Sequence, residues 1–325
     1  MAYVLMYVSE IMFTATSVLL SNLSYLLLAY LFYFMATWIL LFIIEYFHVN
    51  DVWSLFLAGA FYGWILEGIY RTTMYSAFPI YLSWIGLAWH DLLSVIIFFY
   101  FIRRSIILDD KKTIAITTSL LGILWGIFQA GWSQIKVSTV SPFVFSIYSF
   151  FATILLIIAL FGCGFFYEVK FDPGLKESSV YFLLLIIIYF FDVVFYLQAL
   201  FLVPILYFLN YYPLNRHRKV HKEEKSLIQI LNDAIIIKKV SQDKTFLVSL
   251  LLILLIPLFA SFSYYLFSPL TISSDIFGWI FIILTFTGFI IYIIAYIKVL
   301  RRAPKIENDN LLAQITKEKN SKRKK

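Results

Sequence analysis

Eight apolar runs of about 20 residues or more dominate this 325-residue chain, at 25–47, 52–75, 80–102, 113–135, 143–167, 180–209, 245–267 and 276–299. An α-helix rising 1.5 Å per residue needs a run of about that length to cross roughly 30 Å of hydrocarbon. The bilayer also requires every main-chain polar group to be satisfied within the segment, which helices do. The chain therefore reads as an all-α polytopic transmembrane helical bundle of about eight spans. The first 22 residues are apolar but interrupted by Glu10 and by Ser21-Asn22, and they fit either an interfacial helix or an extra span. A range of seven to nine crossings covers the alternatives.

Composition supports the same class. Hydrophobic residues make up 62% of the chain and charged residues 14%, against about 45–50% and 25% in soluble domains. The net charge of +7 would raise the question of nucleic acid, but 18 of the 26 Lys and Arg fall in 215–244 and 298–325. Basic stretches beside spans mark cytoplasmic sides and meet anionic headgroups. They are not interleaved with stacking aromatics as in a nucleic-acid groove. The expected partners are therefore membrane lipids, with anionic headgroups at the basic loop and tail, and a cytoplasmic protein is a further candidate. The single cysteine, Cys163, lies in an apolar run and reads as a small buried hydrophobe. No basic n-region and small-residue cleavage site mark a signal peptide, so the first spans are expected to direct insertion.

Four regions are expected: a six-span bundle over 1–210, a basic loop over 211–244, a helix pair over 245–299 and a disordered basic tail over 300–325. Within the loop, Leu227, Ile228, Leu231, Ala234 and Ile235 recur at helical spacing, which predicts an amphipathic helix at the membrane surface. His217 and His221 are expected to face solvent or headgroups. Both heavy basic stretches belong in the cytoplasm, which makes this a multi-pass cell-membrane protein with a cytoplasmic C-terminus. One conflict stands. Arg103-Arg104 and Lys111-Lys112 lie three runs before the 215–244 loop, so counting puts them outside. The suspect run is 180–209, which is unusually long and carries Asp192 and Pro204.

Ionisable groups at membrane depth cost roughly 2.5–3.5 kcal/mol each on insertion scales and mark function by default. Glu67 and Arg71 are one helical turn apart with the acid first, the favourable order for an ion pair. The same row runs back through Gly63 and Gly59, a small-residue pattern that admits another helix. The fourth run repeats it, with Gly122 and Gly126 followed by Gln129 and Ser133 and flanked by Trp125 and Trp132. The two glycine stripes are expected to meet. If the second to fourth runs go up, down and up, Glu67, Arg71, Trp84, His90, Asp91, Gln129 and Trp132 share one half of the membrane, with Glu67 and Asp91 within about 10 Å and Arg71 or His90 as the nearest positive charge. Asp192, one turn from Tyr196, faces the same cavity or is hydrogen-bonded within the bundle.

The residues admit several readings. Paired acids and bases can simply hold a bundle together. A cavity lined this way suits a transport or channel-like subunit handling a small solute or protons. An intramembrane enzyme acting on a lipid or isoprenoid would use Glu67 or Asp91 as general acid or base, and Arg71 for an anionic headgroup. A membrane-anchoring subunit would use the basic loop and tail instead. A cavity open sideways to lipid favours the enzyme, and tolerance of change at Glu67 and Asp91 favours the anchor. No metal-ligand spacing is present, and no cofactor is expected.

Overall fold

In the computed structural model the described residues are 1–134, 140–165, 171, 174–238, 244–269 and 273–301. The tail expected to be disordered lies beyond residue 301 and so outside them. Among the described residues eight helices are long and apolar enough to cross a membrane, and the chain is a multi-pass integral membrane protein. Short helices α1 (Ala2–Met6, continued by Tyr7–Ile11) and α2 (Thr16–Ser21) precede α3 (Leu23–Tyr46). Next come α4 (Val52–Ile65, continued by Leu66–Tyr70) and α5 (Leu82–Ile102, continued by Arg103–Leu108). Then follow α6 (Lys111–Gln134), α7 (Pro142–Phe165), α8 (Leu175–Phe195), α9 (Ala199–Val220) and α10 (Leu227–Lys238). The last are α11 (Lys244–Leu251), α12 (Leu255–Phe267) and α13 (Ser273–Leu300).

Contacts divide the chain into two compact units that interleave in sequence. One comprises Met1–Leu31, Ile97–Phe166 and Lys239–Ile283, the other Phe32–Ile96, Tyr167–Lys238 and Leu284–Lys325. In the first unit α12 lies along α6, because Gly122 and Gly126 leave no side chain between them. A Cβ on Gly122 would overlap the Ile256 carbonyl, and one on Gly126 the Ala260 carbonyl. The N-terminal segment is neither an interfacial helix nor a full span. It packs inside this unit: Tyr7 is fully buried, its hydroxyl 2.6 Å from that of Thr153 and its ring edge-on to Trp125. Glu10 is also buried, and its Oε1 accepts from the hydroxyls of Thr14 (2.9 Å) and Tyr25 (2.5 Å).

In the second unit α4 opens on a capping box: Asp51 accepts from the amides of Trp53 and Ser54, and the Ser54 hydroxyl accepts from the Asp51 amide. The long run at 180–209 is two helices, with α8 ending at Phe195 and α9 starting at Ala199. α9 runs antiparallel beside α4. Its His217 ring lies 3.2 Å from the His48 carbonyl at one end, Tyr207 meets Phe61 midway, and Tyr196, just before it, stacks on Tyr75 at the other end. Past α9, the amide of Leu227 donates to the Val49 carbonyl, and Ser226 and Gln229 donate to Glu45. The apolar face of α10 (Leu227, Ile228, Leu231, Ala234 and Ile235) is buried within the protein rather than left for lipid to cover. His217 and His221, expected to face solvent, are buried with ring centroids 4.3 Å apart. The chain has folded back over them.

Candidate functional site

The polar cluster is built by α4 and α5. The two glycines of α4 receive α5 and not the fourth run: a Cβ on Gly63 would overlap the Gly86 carbonyl, and one on Gly59 would overlap the Asp91 carboxylate. The expected contact between the two glycine stripes is thus replaced by two separate ones, each stripe taking a partner within its own unit. Both stripes do what small residues do in lipid, admitting a neighbour closely. Which neighbour they admit is set by the whole packing.

Glu67 and His90 are 2% and 1% exposed and joined at 2.7 Å, Glu67 Oε1 to His90 Nε2. Thr73 donates its hydroxyl to the other carboxylate oxygen. Arg71 adds a favourable electrostatic interaction with Glu67. α4 ends at Tyr70 instead of continuing to residue 75, so Glu67 stands nearer a helix end than its sequence run implies. The rings of Tyr33 and Tyr62 approach His90, at 6.1 and 6.2 Å between centroids.

Asp91 differs. It is wholly buried, and among the described residues neither carboxylate oxygen has a hydrogen-bond partner. Tyr292 of α13 interacts with it electrostatically, and the Tyr292 hydroxyl donates to Asn210 Oδ1 at 3.0 Å. Trp84 is buried beside Trp89, ring centroids 5.0 Å apart. That five-residue spacing belongs to α5's i→i+5 hydrogen bonding, which displaces the seven-residue register that would put Trp84 on the face of Asp91. Asp192 sits one turn before the end of α8. It interacts electrostatically with Tyr75, and its Oδ2 is buried without a partner among the described residues.

Gln129 and Trp132 belong to the other unit and are occupied there. Gln129 Oε1 accepts from the amide and hydroxyl of Thr16, its Nε2 donates to the Thr14 carbonyl, and Trp132 Nε1 donates to the Phe13 carbonyl. They satisfy main-chain groups freed by the break between α1 and α2. The cluster brought together is therefore Glu67, Arg71, His90 and Asp91. Thr73, Tyr292 and Asn210 join it without a prior sequence signal, because Thr73 lies past a helix end and Tyr292 and Asn210 are distant in the chain. Among the described residues no three His, Cys, Asp or Glu side chains converge to hold a metal.

Compared with known proteins, the chain matches no protein family, no curated protein and no solved structure.

Proposed function

We propose that this protein is a proton-handling transport or channel-like subunit in which Asp91 takes up and releases the proton. One observation carries the reading: a fully buried carboxylate without a partner, one residue from a histidine that is itself engaged. An isolated buried carboxylate costs far more as an anion than as an acid. Asp91 is therefore placed to hold a proton, and releasing it requires a base or a cation close by. Thr73, Glu67 and His90 form a hydrogen-bonded series that ends one residue along the chain from Asp91, and Tyr292, bonded to Asn210, interacts with Asp91 electrostatically. Water entering between these groups and Asp91 would complete a file for stepwise proton movement.

Orientation belongs to the same proposal. α9 runs the length of α4 in the opposite direction, so we count it as a ninth crossing. Four crossings then separate Arg103, Arg104, Lys111 and Lys112 from the basic stretch at 215–226, and both lie on one side. By position in the sequence, 24 of the 26 Lys and Arg fall on that side, leaving Arg71 and Lys136 opposite. The positive-inside rule makes the richer side cytoplasmic, with the C-terminus. In this arrangement the cell membrane holds the protein with the loop between α4 and α5 outside.

The test is proton flux into vesicles holding the purified protein and a trapped pH-sensitive dye. Asp91→Asn keeps the shape and removes the titration, so flux should fall to the protein-free level with yield and melting temperature unchanged. Full flux in Asp91→Asn would remove the proposal. If changes in 215–226 then abolish the biological role instead, an anchoring subunit is the better description.

A further inference from the structure

α3, α4, α8 and α9 enclose a cleft of about 510 Å³ in the second unit. Its walls are aliphatic and aromatic, with Ile43, Ile65, Leu185 and Val203 among them. Phe47 closes one end, in the turn that leads into α4, and Ile69 lies one residue short of α4's other end. The lining residues run from Phe61 to Ile69 on α4 and from Val203 to Tyr211 on α9, eight steps or about 12 Å of each helix, within the roughly 30 Å hydrocarbon layer. It opens sideways: Ile186 and Tyr211 on its rim are 48% and 44% exposed. Close-packed interiors leave few voids larger than a water molecule. This volume lies within the roughly 300–1,000 Å³ of ligand sites. An apolar ligand such as part of an acyl chain matches its walls.

The Phe47 end carries the charge. The Arg218 guanidinium lies 3.9 Å from the ring centre of Tyr46, which lines the cleft. Among the described residues no carboxylate pairs with Arg218, and Arg216 and Lys219 beside it are exposed. The geometry points to a site for an anionic phospholipid, with one acyl chain in the cleft and its phosphate at Arg218. The cleft is independent of the Asp91 file, and the inference stands whether or not that proton reading does.

Native mass spectrometry of the whole protein, released from nanodiscs of mixed phosphatidylglycerol and phosphatidylcholine, reads the bound lipid directly. The wild type should keep one phosphatidylglycerol in preference to phosphatidylcholine. Ile186→Trp fills the cleft from its half-exposed rim and should lose that lipid, and Leu185→Phe is a second filling variant from the same wall. Arg218→Gln should still hold a lipid but lose about fivefold in preference for the anionic one, the equivalent of about 1 kcal/mol. Unchanged lipid retention in a folded filling variant, or unchanged preference in Arg218→Gln, overturns the inference. So does a filling variant that turns a dimer into a monomer with lipid retention intact, which would make a second copy of the chain the occupant.

Discussion

Asp110 shows how a single polar side chain sets a helix boundary outside the membrane. Its Oδ1 accepts from the amide of Thr113 and its Oδ2 from the Thr113 hydroxyl, 3.1 and 2.6 Å away, which starts α6. These bonds, with smaller help from Lys112 and Arg104, hold its carboxyl below the ordinary aspartate value. A depressed value means that its contribution is present above the ordinary pKa and is lost as pH falls through the lowered one. Asp110→Ala should cost about 1 kcal/mol at neutral pH, as N-cap losses do, and the difference from wild type should vanish in strongly acidic thermal melts. A difference that persists there would mean that the carboxylate is not the stabilising form. At this scale much was legible: Glu67, His90 and Asp91 stand out because acids and imidazole are costly in lipid. Thr73, Tyr292 and Asn210 do not, since hydroxyls and amides are ordinary at helix ends.

Glycine pairs fix how helices approach each other, and here their partners were the illegible part. Gly59-x-x-x-Gly63 and Gly122-x-x-x-Gly126 announce close approach, but nothing in either stripe names the helix that approaches. On α6 the price of a side chain is steric. Gly126→Val would drive a methyl group into the Ala260 carbonyl and Ser263 and should destabilise by about 1–3 kcal/mol, in the range of overpacking. Gly162 of α7 has nothing within 4 Å of an added Cβ. Gly162→Ala should therefore leave stability unchanged or raise it by up to about 1 kcal/mol, since alanine is the better helix former. Melting temperatures of the two variants test the contrast, and equal losses would deny the α6–α12 contact. The run at 180–209 failed for a related reason. Apolar composition continues across the α8–α9 break, so hydropathy sees one segment where the backbone has two.

For the molecule as a whole, the fold class was written in the spacing of apolar runs, because length and composition are what the bilayer selects. Orientation was not, since counting α9 as a crossing or leaving it out reverses the side of every earlier loop. Cysteine labelling in intact cells checks the nine-crossing arrangement, in a Cys163→Ala background. Leu197→Cys, 71% exposed in the α8–α9 break, should react with an impermeant reagent. Glu223→Cys and Lys112→Cys, both at exposed positions, should react only after the cells are opened. Reaction of Lys112→Cys but not Leu197→Cys in intact cells would restore eight crossings.

The joining of Glu67 to His90 also bears on how the chain is made. The two residues sit on consecutive helices linked by 71–81, and α4 leaves the ribosome with its acid matched only by Arg71 and Thr73 until α5 follows. Each helix alone carries a buried ionisable group into lipid at roughly 2.5–3.5 kcal/mol. Entering together, they bring each other's partner. α4 and α5 are thus a unit of biogenesis, a hairpin that the insertion machinery must hold until its second half arrives.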